Sequence, residues 1–142
     1  MTDRRLVVAS WLCVPMAVYA MIAPFALLLP SHAFDKTWPP HAKFHLFWAS
    51  GKLFALGTGQ LLLALFGLPS GKRWTWYAMV SNVLFGGFSM IPASRLAHGP
   101  ISPFRSHDRS TKLGVITSLS AVIGLILAIP SVFRSSTPPE RD

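Results

Sequence analysis

LVVASWLCVPMAVYAMIAPFALLLP, residues Leu6–Pro30, contains no charged side chain. An uncharged run of about 25 residues is longer than the roughly 20 that a helix needs to cross a bilayer. It is also longer than the hydrophobic core of a secretory signal, which runs to about 7–15 residues. The stretch therefore reads as a retained transmembrane helix. Pro15 and Pro24 lie inside it. In water each would end the helix. In a membrane bundle a kink is tolerated where neighbouring groups satisfy the freed carbonyls.

Composition agrees with a membrane setting. Of the 142 residues, 51% are hydrophobic and only 13% charged, about half the usual charged share. Mean hydropathy is +0.46. A soluble domain this apolar could not cover its own surface, whereas lipid solvates apolar faces. The net charge of +8 raises the question of nucleic acid. The basic residues flank the apolar runs, as they do beside headgroups, so no nucleic-acid partner is expected. The single Cys13 sits in an apolar run and excludes an internal disulfide.

Three more apolar runs follow. Pro39-Pro40 suits a first helical turn rather than a helix interior, so the second helix is expected over about 40–68. Pro69-Ser70-Gly71 reads as a turn and Lys72-Arg73 as a basic clamp. The third helix is expected over about 74–91, opening on Trp74, Trp76 and Tyr77 as an interfacial belt and closing at Pro92. A polar loop over 93–112 precedes the fourth, about 113–133, and 134–142 is a polar tail. The expected architecture is all-α: one domain, residues 1–142, forming an integral membrane four-helix bundle. Its first helix covers about 6–30.

Four spans place both termini on one side and the connections after helices 1 and 3 on the other. All five histidines then share a side: His32, His41 and His45 in one segment, His98 and His107 in the other. Basic residues do not settle the orientation by number. Arg4 and Arg5 abut helix 1 directly, which points to cytoplasmic termini.

Helices in lipid associate through close packing of small residues. Helix 3 offers Ala78, Asn82, Gly86 and Ser89, helix 4 offers Ser120, Gly124 and Ala128, and helix 2 offers Gly57 and Gly59. Asn82 and Gln60 are polar at membrane depth. The ordinary role of such amides is hydrogen bonding between helices; contact with a substrate is the alternative. The sequence leaves a homo-oligomer open.

The chemistry-bearing segment is WPPHAKFHLFWASGK, Trp38–Lys52. On a helix, His41, His45 and Lys52 fall within about 40° of one another, with Trp48 in the same stripe. Lys52 either extends to the headgroups or faces a polar cavity and pairs with an anion. The His-x-x-x-His spacing also suits a metal, because residues i and i+4 point the same way. Lys43, Lys52, Arg105 and Arg109 oppose a cation there and favour an anionic headgroup, phosphate or carboxylate. No metal is therefore assigned, and the sequence names no cofactor. Haem is disfavoured because the apolar spans of helices 1, 3 and 4 contain no histidine. Ser106-His107-Asp108 is not a triad by itself, since consecutive side chains point apart.

Ser31-His32-Ala33-Phe34-Asp35, followed by Trp38-Pro39-Pro40-His41-Ala42-Lys43-Phe44-His45, resembles the signature T-H-x-F-N-x-x-W-P-P-H-A-[RK]-F-H of a poorly characterised family of small four-span membrane proteins. Ser31 stands for the threonine and Asp35 for the asparagine. Leu46-Phe47-Trp48 departs from the polar N-G-Q of that pattern. The resemblance covers about fifteen residues. It implies that His32, His41 and His45 act as a unit, and it supplies no reaction.

Two functional readings follow. In the first, the protein binds or transforms an amphipathic, lipid-like molecule, so its partner is a membrane lipid or another hydrophobic small molecule. His41 or His45 would serve as general acid or base, since imidazole titrates near neutrality. Asp35 or Asp108 would orient it and Lys52 would stabilise an anion, with His32, His107 and Trp48 completing the ligand-binding set. In the second, the protein is a non-enzymatic membrane component, a complex subunit or assembly factor, whose histidines anchor the interface.

Overall fold

The computed structural model describes residues 3–34, 36–87 and 105–134, with the backbone course alone for 28, 31, 32, 87 and 105–111. Four helical segments make up the described chain, with no strand among these residues. Helix α1 runs Arg4–Ala23 and continues in wider π-helical turns over Pro24–Ala33. Helix α2 runs Pro40–Leu62, widens over Leu63–Gly67 and tightens to a 3₁₀ turn at Leu68–Ser70. Helix α3 is Arg73–Asn82 with π turns over Val83–Gly87, and α4 is Arg105–Val132.

Among the described residues, three segments are long and apolar enough to cross a membrane: Arg4–Leu27, Pro40–Ser70 and Lys112–Val132. The described part of α3 is shorter than a span, and residues 88–91 of the expected third helix lie outside the described residues. Large apolar side chains stay exposed along α4, among them Ile116, Leu119, Ile123 and Ile126. Their spacing of three and four makes a continuous outward stripe, the face that lipid would solvate.

The first helix outlasts its expected end at Pro30. A proline ring clashes with the carbonyl four residues back, and local π turns are one way a membrane helix re-satisfies the backbone there. The helix thus passes Pro24 and Pro30 and includes His32. A second correction concerns the polar loop before the fourth helix. Its last eight residues, Arg105–Lys112, are already helical. RSHDRSTK contains neither proline nor glycine, so its polarity marks the end of the apolar span and not of the helix.

Packing centres on α1, which lies against both α4 and α2. Gly124 is the point of closest approach: a Cβ there would sit 2.6 Å from the Ala9 carbonyl oxygen and 3.2 Å from Cys13 Sγ. Ser120 Oγ donates to Leu12 O at 2.8 Å, and Ala121 and Ala128 are fully buried. Gly57 of α2 seats against α1 in the same manner: a Cβ there would sit 2.8 Å from the Ala17 carbonyl oxygen. Gly59 and Gly86, expected to pack likewise, face open space. Other hydroxyls satisfy themselves within their own helix: Ser10, Ser50, Thr58 and Ser118 each donate to the carbonyl four residues back.

One end of the molecule is closed by polar contacts. Asp3 caps α1 by accepting from the Arg5 backbone N–H, and accepts from Ser131 Oγ of α4 at 2.5 Å. Gly71, in the left-handed conformation at φ 68°, turns the chain between α2 and α3 beside Leu6. The start of α1, the α2–α3 turn and the end of α4 therefore meet, and successive helices run in alternating directions. Trp76, expected in the interfacial belt, instead donates Nε1–H to Leu125 O at 2.9 Å and stacks edge-on with Phe133. Trp74 and Tyr77 are exposed, as a belt requires.

Candidate functional site

Pro39 and Pro40 start α2 with φ fixed for a helical turn, and no side chain caps that end. Helical geometry then aligns the next four site residues. His41 and His45 meet through Nε2 atoms 2.9 Å apart, with ring planes at 87°. One nitrogen donates and the other accepts, so the contact requires at least one neutral imidazole. His45 also packs beside Phe44 and Trp48, with ring centroids 5.5 and 6.2 Å away. Lys52 Nζ sits 3.4 Å from the Trp48 ring centroid, a cation–π contact. The four side chains form one continuous series along α2, and all four are exposed.

Lys52 thus takes a course the sequence reading did not contain. It neither extends away alone nor enters a closed cavity, but folds back on the aromatic ring one turn earlier. The signal was present as a Trp–Lys pair at spacing four. Below Lys52 an open groove of about 430 Å³ follows the same face, lined by Ala55, Leu56, Gly59, Leu63 and Asn82 of α3. Gly59 keeps the groove floor low, since its missing side chain meets nothing within 4 Å. A cation thus stands at the end of an apolar trough.

On the inner face of α2, Gln60 is buried at 3% exposure and accepts from Asn82 Nδ2 at 3.0 Å. This is the interhelical amide bond expected from two polar residues at membrane depth. The bond uses only half of the glutamine amide. Gln60 Nε2 has no hydrogen-bond partner among the described residues.

The remaining expected site residues are placed less fully. His32 lies in the final π turns of the first helix, and His107 and Asp108 lie in the first turn of α4, their side chains outside the described set. Asp35 and His98 fall outside the described residues altogether. The expected approach of the second histidine segment to His41 and His45 therefore lies outside them too. Among the described residues no group of three or more histidine, cysteine, aspartate or glutamate side chains converges as a metal site. Cys13 is buried between α1 and α4, 3.7 Å from the Ala121 carbonyl oxygen. No family model, curated protein or solved structure matches the chain.

Proposed function

We propose that the protein is a four-span integral membrane bundle, termini cytoplasmic, that binds an amphipathic lipid-like molecule with an anionic headgroup along the outer face of α2. One observation carries this reading: Lys52, held on Trp48, stands at the end of an apolar groove, with His45 and His41 continuing the polar stripe beyond it. The headgroup pairs with Lys52 and the imidazoles, and the chain lies over Ala55, Leu56 and Gly59. Both histidines are exposed on the outer face of α2, a placement that suits holding a headgroup at the surface. A doubly protonated imidazole pair cannot share a nitrogen–nitrogen hydrogen bond and offers all its N–H groups to an anion. A metal would need them neutral.

The test is titration of purified protein in nanodiscs with phosphatidylglycerol, phosphatidylcholine and Zn²⁺ at about pH 5.5 and about pH 8. We expect preference for the anionic lipid, tighter at the lower pH, and weakened several-fold by Lys52→Gln. Stoichiometric, tight Zn²⁺ binding that grows with pH and disappears in His41→Ala would overturn it. The exposure of both imidazoles also supports a second reading, a non-enzymatic complex component whose histidines anchor the interface. That reading predicts no lipid preference and no effect of Lys52→Gln.

A further inference from the structure

A second cavity lies on the neighbouring, inward-facing side of α2, next to the groove. It holds about 190 Å³ between all four helical segments, with Met16 and Ala20 of α1, Leu53 and Gln60 of α2, and Asn82 and Gly86 of the α3 segment among its walls. Most of the lining is aliphatic or aromatic. Gln60, Asn82, Ser81 and Ser118 are the polar aliphatic residues at its wall. Ser118 donates to its own helix at Gly114 O, whereas Gln60 Nε2 is a buried donor with no acceptor among the described residues. Buried amide donors are nearly always satisfied, and one left open beside a cavity points to a missing partner.

The cavity's size and chemistry restrict that partner. A single water occupies roughly 30 Å³ and needs two to four polar contacts, more than a mostly apolar wall several times larger offers a cluster that would fill it. An apolar cavity of about 150 Å³ accommodates benzene, so this one takes a body of about one or two fused rings, or a branched equivalent. The open donor requires an acceptor oxygen. Among the described residues no charged side chain lines the cavity, which argues against a charged headgroup. We propose that this cavity is a binding site for a compact, neutral, membrane-soluble molecule bearing one carbonyl or hydroxyl oxygen, which accepts from Gln60 Nε2 after a small rotation of the buried amide toward the cavity. The site stands independently of the Lys52 groove, with which it shares only the walls at Leu56 and Asn82.

The sequence permits a direct readout, because Gln60 is the only glutamine in the chain. Selective ¹⁵N-glutamine labelling gives one side-chain amide signal. The full chain in phosphatidylcholine nanodiscs is titrated with 2-decalone, and with decalin, the same skeleton lacking the oxygen. We expect 2-decalone to move the Gln60 amide protons downfield and saturably. In competition decalin binds roughly three- to tenfold more weakly, the worth of one net hydrogen bond. Gly86 faces open space in the cavity wall, so Gly86→Leu fills the site and abolishes the response while circular dichroism shows the helices retained. Lys52→Gln leaves the response intact. The proposal is overturned if the amide signal ignores 2-decalone or responds equally to both probes. It is likewise overturned if the response survives Gly86→Leu, is lost in Lys52→Gln, or gives way to contact with a water that neither probe displaces.

Discussion

Trp48 and Lys52 show how far single side chains determine the outer site. The ring orients the ammonium at 3.4 Å, an interaction worth about 0.5–1 kcal/mol at an exposed position. Trp48→Leu should therefore leave folding within about 1 kcal/mol of wild type but weaken phosphatidylglycerol binding, read as a higher apparent Kd in nanodisc titration. Asp3 supports a different prediction. Donation from Ser131 Oγ, then from the Arg5 backbone N–H, holds its carboxyl below the ordinary value of 3.8. A depressed folded pKa means the contribution is present above 3.8 and is lost as pH falls below it, through the folded value. Thermal melts should thus show wild type losing stability below that pH more steeply than Ser131→Ala. The His41–His45 pair along α2 was legible because its members are four residues apart; the Trp48–Lys52 contact has the same spacing but was not read from it. The Ser131–Asp3 and Trp76–Leu125 bonds were not legible, since they join residues 128 and 49 positions apart in the chain. No local pattern marks such partners.

At the scale of elements, two glycines of α2 separate packing from open surface. A Cβ on Gly57 would meet the Ala17 carbonyl oxygen at 2.8 Å and Met21 Cγ at 2.7 Å, whereas one on Gly59 would meet nothing within 4 Å. Gly57→Ala should destabilise by about 1–3 kcal/mol through forced separation of α1 and α2. Gly59→Ala should be neutral, or stabilising by up to about 1 kcal/mol through helix propensity. Reversible unfolding in detergent measures both. The sequence showed both glycines as small residues on one helix. It could not say which faces α1, because the period of a helix is clear while its rotation about its own axis is set by its neighbours. Three of the four expected spans were readable, from Leu6–Pro30 and from the runs over about 40–68 and 113–133. Their ends were less so: π turns carry the first helix past Pro30, and polarity hid the helical start of α4 at Arg105.

For the whole molecule, alternation of helix direction links fold to function. Asp3, the turn at Gly71 and Ser131 gather at one end, and His41 opens α2 at the other. The lipid-binding account needs that alternation to be embedded in a bilayer, with the connections at positions 36 and 108 on one face and position 72 on the other. Single cysteines placed at Lys36, Lys72 and Asp108, in a Cys13→Ser background, report this directly in sealed vesicles. A membrane-impermeant maleimide should label 36 and 108 from the same side and 72 only from the opposite side. Labelling of all three from one side would contradict the four-span arrangement on which the account rests.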